Sequence, residues 1–129
     1  MTMLLVAANV GVMLFFTVVV APVVFKVLPQ DWAAAYVRAF FPRYFAFLGL
    51  TSLLAALCAA EATLQVALSL CAALFFFSLW VLTPRINQAR DAGKARTFGA
   101  LHGLSVVLNL AQLAFFVGVL WVGSGQTPH

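Results

Sequence analysis

The sequence has very few charged side chains. Of its 129 residues, 8% are Asp, Glu, Lys or Arg, whereas 65% are hydrophobic. Soluble domains are about half apolar and about one quarter charged, so this composition excludes a water-soluble globule. It also excludes intrinsic disorder, because disordered chains are poor in hydrophobic residues. We therefore expect an integral membrane protein, and the length predicts one domain over residues 1–129.

Recognised catalytic patterns are also absent. The sequence contains no HExxH, GxSxG, CxxC or glycine-rich phosphate-binding loop, so we expect neither an enzyme nor a metal site. The two cysteines, Cys58 and Cys71, lie in apolar runs at depths that differ by about 10 Å, which is too far for a disulfide bond. The net charge of +4 does not indicate nucleic-acid binding, because basic residues in a membrane protein first report its topology.

Four long runs of residues carry no charge. They cover residues 3–25, 44–60, 62–83 and 97–123, and about 20 helical residues suffice to cross a bilayer. The predicted fold class is therefore all-α, a polytopic membrane protein whose four transmembrane helices form a bundle. The middle of each run also lacks the ionisable residues that serve as relays in proton-coupled transporters. The last residues, 124–129, predict a short polar tail.

All seven basic residues fall in two of the connections between these runs. The first connection contains Lys26, Arg38 and Arg43, and the second contains Arg85, Arg90, Lys94 and Arg96. The opposite side carries Glu61 and both termini. Short cytoplasmic loops are rich in Lys and Arg, so we expect the basic connections in the cytoplasm and both termini outside.

The first basic connection has a helical pattern of its own. Asp31 is suited to cap the start of a helix. Apolar side chains follow at helical spacing, at Ala33, Tyr36, Val37, Phe40 and Phe41. Pro42 then predicts the end of this helix and the first turn of the next one. We therefore predict a short amphipathic helix over residues 31–41 that lies in the membrane interface.

Polar side chains recur along the fourth run. His102, Ser105, Asn109 and Gln112 follow a spacing of 0, 3, 7 and 10, which places them within an arc of about 80° on a helix. A polar stripe avoids lipid and therefore faces the bundle interior or an aqueous cavity. We expect it either to join helices through hydrogen bonds or to line a pocket for a ligand or cofactor.

The same run contains a glycine pair beside the histidine. Gly99 and Gly103 form a GxxxG pattern, which predicts a face on which another helix packs closely. His102 offers a nitrogen ligand to a haem or chlorin, with the glycines leaving room for the flat ring. No second histidine lies inside a run, so bis-histidine haem ligation within one chain is excluded. The alternative is a structural histidine that hydrogen-bonds to Asp91, Asn87 or a loop carbonyl.

Prolines and polar residues cluster beside the basic connections. Pro22 removes the hydrogen bond to the carbonyl of Val18, so we expect a kink in the first run. The other members of this cytoplasmic-mouth motif are Pro42, Arg43, Tyr44, Pro84, Arg85, Asn87, Arg90 and Asp91. We expect them either to set topology and contact headgroups or to bind an anionic ligand or lipid headgroup. No cofactor is firmly indicated, and a bound lipid is favoured over haem or chlorin.

Several of these residues form a pattern along the chain. Its parts are Ala21-Pro22-x-x-Phe25, Phe41-Pro42-x-Tyr44, Pro84-Arg85-Ile86-Asn87-x-x-Arg90-Asp91 and Phe98-x-x-Leu101-His102-x-x-Ser105-x-x-x-Asn109. The pattern resembles the family of small bacterial membrane proteins related to transmembrane protein 205, over nearly the whole chain. The resemblance implies a four-span bundle in a bacterial inner membrane and says little about chemistry.

The sequence favours a non-enzymatic accessory or scaffold subunit that associates with a larger membrane protein complex or with itself, surrounded by membrane lipids. This interpretation depends on the Phe-rich surface, the GxxxG pair and the missing catalytic groups. Two alternatives stay open. One is a transport or resistance protein for a small solute or metal that uses the polar stripe, and the other is a tetrapyrrole-binding protein that uses His102.

Overall fold

The computed structural model describes residues 1–125, which are helical almost throughout. Within that range, four helices are long and apolar enough to cross a membrane. They are α1 Thr2–Val27, α2 Gln30–Cys58, α3 Ala62–Asp91 and α4 Ala95–Gly125. The prediction of an all-α, four-span integral membrane protein is thus confirmed. Of the predicted polar tail, residues 126–129 lie outside the described residues, whereas residues 124–125 continue α4.

The two short connections place six of the seven basic residues toward one end of the bundle, whereas Arg43 lies half-way along α2. We call that end the basic end; it contains residues 28–29 between α1 and α2 and residues 92–94 between α3 and α4. Gly93 makes the second connection tight, since its φ of 72° lies in the left-handed region that suits glycine. The far end contains the start of α1 and the turn at residues 59–61.

The predicted boundary between an interfacial helix and the second span is wrong. Helix α2 runs unbroken through Pro42, so residues 31–41 belong to the same helix as residues 44–58. The proline leaves the carbonyl of Arg38 without its helical donor. Next to that carbonyl, the Arg43 guanidinium donates a hydrogen bond to the carbonyl oxygen of Ala39 at 2.7 Å. This bond satisfies Ala39 and not the freed carbonyl of Arg38. Proline inside a membrane helix is tolerated where neighbouring helices support it.

The aromatic residues of this segment pack against α1. The ring of Phe16 stacks on the ring of Phe40 with centroids 4.7 Å apart, and it meets Phe41 edge-on at 5.4 Å and Tyr44 at 5.1 Å. These contacts turn the apolar face of residues 36–44 toward another helix. That face therefore extends the bundle at the basic end.

The kink expected at Pro22 takes the form of a π-helical turn. The segment Phe16–Val20 of α1 is π-helical, and the N–H of Ala21 donates to the carbonyl of Phe16, five residues back. Helix α3 repeats this arrangement, with a π turn at Ser78–Leu82 ahead of Pro84. A π turn widens the helix by one residue and often occurs at functional sites. Both turns lie on the basic-end side of their helices.

Helices α1 and α2 pack through a stripe with alternating steps of three and four residues. On α1 the buried residues of the stripe are Thr2, Val6, Asn9, Met13 and Phe16, and on α2 they are Phe45, Leu48, Ser52 and Ala55. This spacing is typical of left-handed helix packing. In the stripe, the amide Nδ2 of Asn9 donates to the hydroxyl of Ser52 at 3.1 Å.

Helix α4 is the peripheral element of the bundle. It packs on α1 and on the basic-end part of α3. In an apolar 18-residue stretch of α4 only 11% is buried, compared with 44% of the corresponding stretch of α2. Of its described side chains, Gln112 and Phe116 are the buried ones. Most of α4 therefore faces lipid or a partner.

Candidate functional site

The polar stripe and the mouth motif meet at one cavity. This basic-end cavity has a volume of about 430 Å³ and is lined by residues from all four helices. The predicted site residues that line it are Tyr44, Asn87, Arg90, His102, Ser105 and Asn109. The remaining mouth residues, Pro22, Pro42, Arg43, Pro84, Arg85 and Asp91, lie outside its lining.

Aromatic rings form much of the cavity wall. Phe16, Phe41 and Phe45 come from the α1–α2 contact, and Phe25 and Phe98 lie nearer the basic end. Phe16 belongs to the π turn of α1, and Thr83 directly follows the π turn of α3. The two proline-associated turns therefore flank the same cavity.

The residues of the polar stripe become more buried from the basic end toward the middle of the bundle. His102 is exposed, Ser105 and Asn109 are half-buried, and Gln112 is buried. Asn109 accepts a hydrogen bond through Oδ1 from the hydroxyl of Tyr44 at 3.1 Å. This bond joins α4 to α2 across the cavity.

Gln112 lies beyond the deep end of the cavity and takes no part in its lining. Its amide Nε2 donates to the carbonyl oxygen of Cys71 at 3.0 Å, which joins α4 to α3. The rings of Phe75 and Phe116 stack nearby with centroids 6.1 Å apart, and both are fully buried. The middle of the bundle is therefore packed.

His102 makes a different contact from the hydrogen bonds considered in the sequence. Its ring stacks on Phe98, with centroids 5.7 Å apart and planes 8° from parallel. The guanidinium carbon of Arg90 lies 5.4 Å from the centroid of the same Phe98 ring. Asp91 pairs with Arg38 instead, at 2.7 Å between Oδ1 and Nη2. The expected hydrogen bond from His102 to Asp91, Asn87 or a loop carbonyl is not made.

Five polar groups of the cavity have no hydrogen-bond partner within the described part of the chain. They are the Thr17 hydroxyl, the Asn87 amide, the Arg90 guanidinium, the His102 imidazole and the Ser105 hydroxyl. Arg38 also lines the cavity, whereas no carboxylate does so among the described residues. The cavity is therefore positively charged and rich in free donors.

The predicted helix contact at Gly99 and Gly103 is not made within residues 1–125. Both glycines are exposed, and a Cβ added to either would meet no atom within 4 Å. The close approach occurs instead at Gly49 of α2, where an added Cβ would come within 2.9 Å of the Phe76 ring of α3. Hydrophobic patterning did not single out Gly49.

The polar contacts between α1 and α2 at the far end were not predicted from the sequence. Asn9 is fully buried and joins Ser52 and Thr51 through its two amide atoms. The hydroxyl of Thr2 donates to the carbonyl of Ala55 at 3.0 Å. The available signal was an amide side chain, that of Asn9, in a run otherwise free of Asn and Gln.

A second cavity lies at the far end. Its volume is about 720 Å³, and its lining includes Met3, Glu61 and Gly118. It shares no lining residue with the basic-end cavity. Within residues 1–125, no three His, Cys, Asp or Glu side chains group as metal ligands.

Comparison with known proteins identifies a family for this chain. A family model described as "Domain of unknown function (DUF4149)" matches residues 4–95, which is more than two thirds of the chain. The match ends where α4 begins. No curated protein and no solved structure matches the chain, and the resemblance to transmembrane protein 205 stays a prediction. The chain thus belongs to the family defined by the domain of unknown function DUF4149.

Proposed function

We propose that this protein is a non-enzymatic membrane subunit that assembles, as an accessory or scaffold component, through α4. The observation that carries this proposal is the open face of the helix. Exposed apolar residues recur along α4 with alternating steps of three and four, at Ala100, Gly103, Val107, Leu110, Ala114 and Val117. We call these six residues the α4 stripe. The same spacing joins α1 to α2 inside the bundle.

Small residues in the α4 stripe and directly beside it distinguish this face from a surface suited only to lipid. Large aliphatic side chains contact lipid well, whereas small ones let a second helix backbone approach closely. Two pairs of small residues four apart lie on exposed positions, Gly99 with Gly103 and Ala114 with Gly118. A Cβ at Gly99, Gly103 or Gly118 would meet no atom within 4 Å. The face therefore has room for a partner helix.

The packed middle of the bundle favours assembly over transport. A transport path along the polar stripe needs polar or open space beyond Asn109. There the Gln112 amide is bonded to Cys71, and the Phe75 and Phe116 rings fill the next layer. The basic-end cavity and the far-end cavity share no lining residue. The polar stripe therefore leads into the basic-end cavity and does not continue to the far end.

The proposed location is the inner membrane of a bacterium, with the basic end in the cytoplasm. The support is the charge asymmetry, because short cytoplasmic loops collect Lys and Arg. Cysteine labelling with an impermeant reagent tests it, in a variant that lacks the native cysteines. Glu61→Cys is expected to react from outside the cell and Gln88→Cys to react after lysis. The reverse pattern contradicts the orientation.

A native gel of mildly solubilised membranes tests assembly, with mass spectrometry of the bands. We expect the wild-type chain in a complex of defined mass, either with itself or with a larger partner. Gly103→Leu is expected to release the chain from that complex, because Leu blocks close approach. Gly11→Leu is the matched control, since Gly11 of α1 is also exposed with no atom within 4 Å of an added Cβ. A wild-type chain that migrates alone, or equal behaviour of the two variants, contradicts the proposal.

A further inference from the structure

We propose that the basic-end cavity binds the phosphate-bearing headgroup of an anionic amphiphile, with the apolar part of that molecule against the aromatic wall. The inference does not depend on assembly through α4, because Leu110 is the one residue of the α4 stripe that also lines the cavity. It depends on two properties that meet in one cavity, free donors at one end and apolar rings at the other.

The donors match a phosphate group. Arginine presents a planar fork of N–H groups that suits phosphate oxygens. Arg38 is already paired with Asp91 at 2.7 Å, whereas the Arg90 guanidinium forms no hydrogen bond or ion pair with the described residues and lies 5.4 Å from the centroid of the Phe98 ring. The Asn87 amide and the Ser105 hydroxyl are available beside it. Because no carboxylate lines the cavity among those residues, its field attracts an anion.

The aromatic wall of the cavity favours a ligand that has an apolar part as well as a phosphate group. The lining of α4 extends from Phe98 to Leu110, which spans about 18 Å along a helix. Along this depth Phe16, Phe41 and Phe45 present apolar surface. A small polar phosphate compound would leave this surface empty, and a purely apolar molecule would leave the donors unpaired. An amphiphile satisfies both ends.

The cavity also opens sideways toward the lipid. Phe25 of α1 and Val106 of α4 line it, yet 61% and 42% of their surfaces are exposed on the bundle. A lipid tail longer than the cavity therefore has a path into the bilayer. The volume of about 430 Å³ falls within the usual range of ligand pockets, about 300–1,000 Å³.

Native mass spectrometry of the purified full chain tests this assignment. The probes are phosphatidylglycerol, phosphatidylcholine as a zwitterionic control, and inorganic phosphate as a competitor. We expect the wild-type chain to retain phosphatidylglycerol in preference to phosphatidylcholine. Arg90→Gln is expected to weaken this retention about tenfold or more, since a charged hydrogen bond is lost. Arg85→Gln is the matched control, because Arg85 is exposed at the same end but does not line the cavity.

Each other outcome overturns the assignment. Equal losses in Arg90→Gln and Arg85→Gln would mean that the lipid follows surface charge alone. Tight binding of inorganic phosphate that phosphatidylglycerol does not displace would assign the site to a free phosphate. Unchanged retention in Arg90→Gln, with an unchanged melting temperature, would place the lipid elsewhere. The native-gel mass of Arg90→Gln is expected to equal that of the wild type, which separates this test from the test of assembly.

Discussion

Removal of the Asn9 side chain is expected to loosen α1 from α2. Asn9 is fully buried and holds α2 through both ends of its amide. Its Nδ2 donates to the Ser52 hydroxyl at 3.1 Å, and its Oδ1 accepts from the Thr51 hydroxyl. Asn9→Ala removes both interhelical bonds, whereas Ser52→Ala removes only the first.

The expected magnitudes follow from these contacts. Interhelical hydrogen bonds in membranes contribute about 0.6 kcal/mol on average and up to about 1.7 kcal/mol, so Asn9→Ala is expected to cost about 1–3 kcal/mol. The single proton of the Thr51 hydroxyl can turn instead to the carbonyl of Phe47 or of Leu48, so this hydroxyl is not left unpaired. The Asn9–Ser52 coupling energy should then equal one bond, about 0.6–1.7 kcal/mol.

Reversible unfolding in detergent micelles measures these energies. The four proteins are the wild type, Asn9→Ala, Ser52→Ala and the double variant. Thr17→Ala serves as control, because Thr17 lies on the same helix, is exposed and makes no hydrogen bond to the described residues. The control is expected to change the unfolding free energy by less than about 0.5 kcal/mol. Additive single substitutions, with a coupling energy near zero, would refute the reasoning.

Three further predictions concern the other helix contacts. His102→Gln is expected to leave the melting temperature nearly unchanged, because His102 stacks on an aromatic ring and makes no hydrogen bond to the described residues; loss of a bound chromophore or metal in this variant would instead show that His102 is a ligand. Asn109→Leu is expected to cost about 0.6–1.7 kcal/mol in the same unfolding assay, because it breaks the bond from the Tyr44 hydroxyl; no change would mean that this bond does not join the helices. Gly49→Val is expected to cost about 1–3 kcal/mol through overpacking against α3, and a similar cost in Gly11→Val, where space is open, would attribute the loss to backbone effects.

The number of helices was predictable because the bilayer sets their length. Four charge-free runs of sufficient length leave little choice of fold, since an unpaired backbone is too costly in lipid. The boundary at Pro42 was not predictable by the rules for soluble helices. There a proline usually ends a helix, whereas here α2 continues through Pro42 and packs against α1 on both sides of it.

The candidate site was predictable in part. Periodicity singled out Ser105 and Asn109, and both line the basic-end cavity. Their partner Tyr44 and the wall residue Phe16 come from helices far away in the chain, and spacing along one helix carries no information about such contacts. The glycine pattern predicted a close helix contact, but it carried no information about whether the partner lies inside the chain.

Disulfide cross-linking along α4 in native membranes tests the proposed assembly most directly. In a Cys58→Ser, Cys71→Ala background, single cysteines replace each residue of the α4 stripe in turn. Gly11→Cys and Val18→Cys serve as controls on the exposed surface of α1. We predict adducts to a second copy or to another membrane protein that recur with alternating steps of three and four along α4 and are absent from the controls. Absence of adducts along the whole α4 stripe, or equal adducts at Gly11 and Val18, would contradict the account.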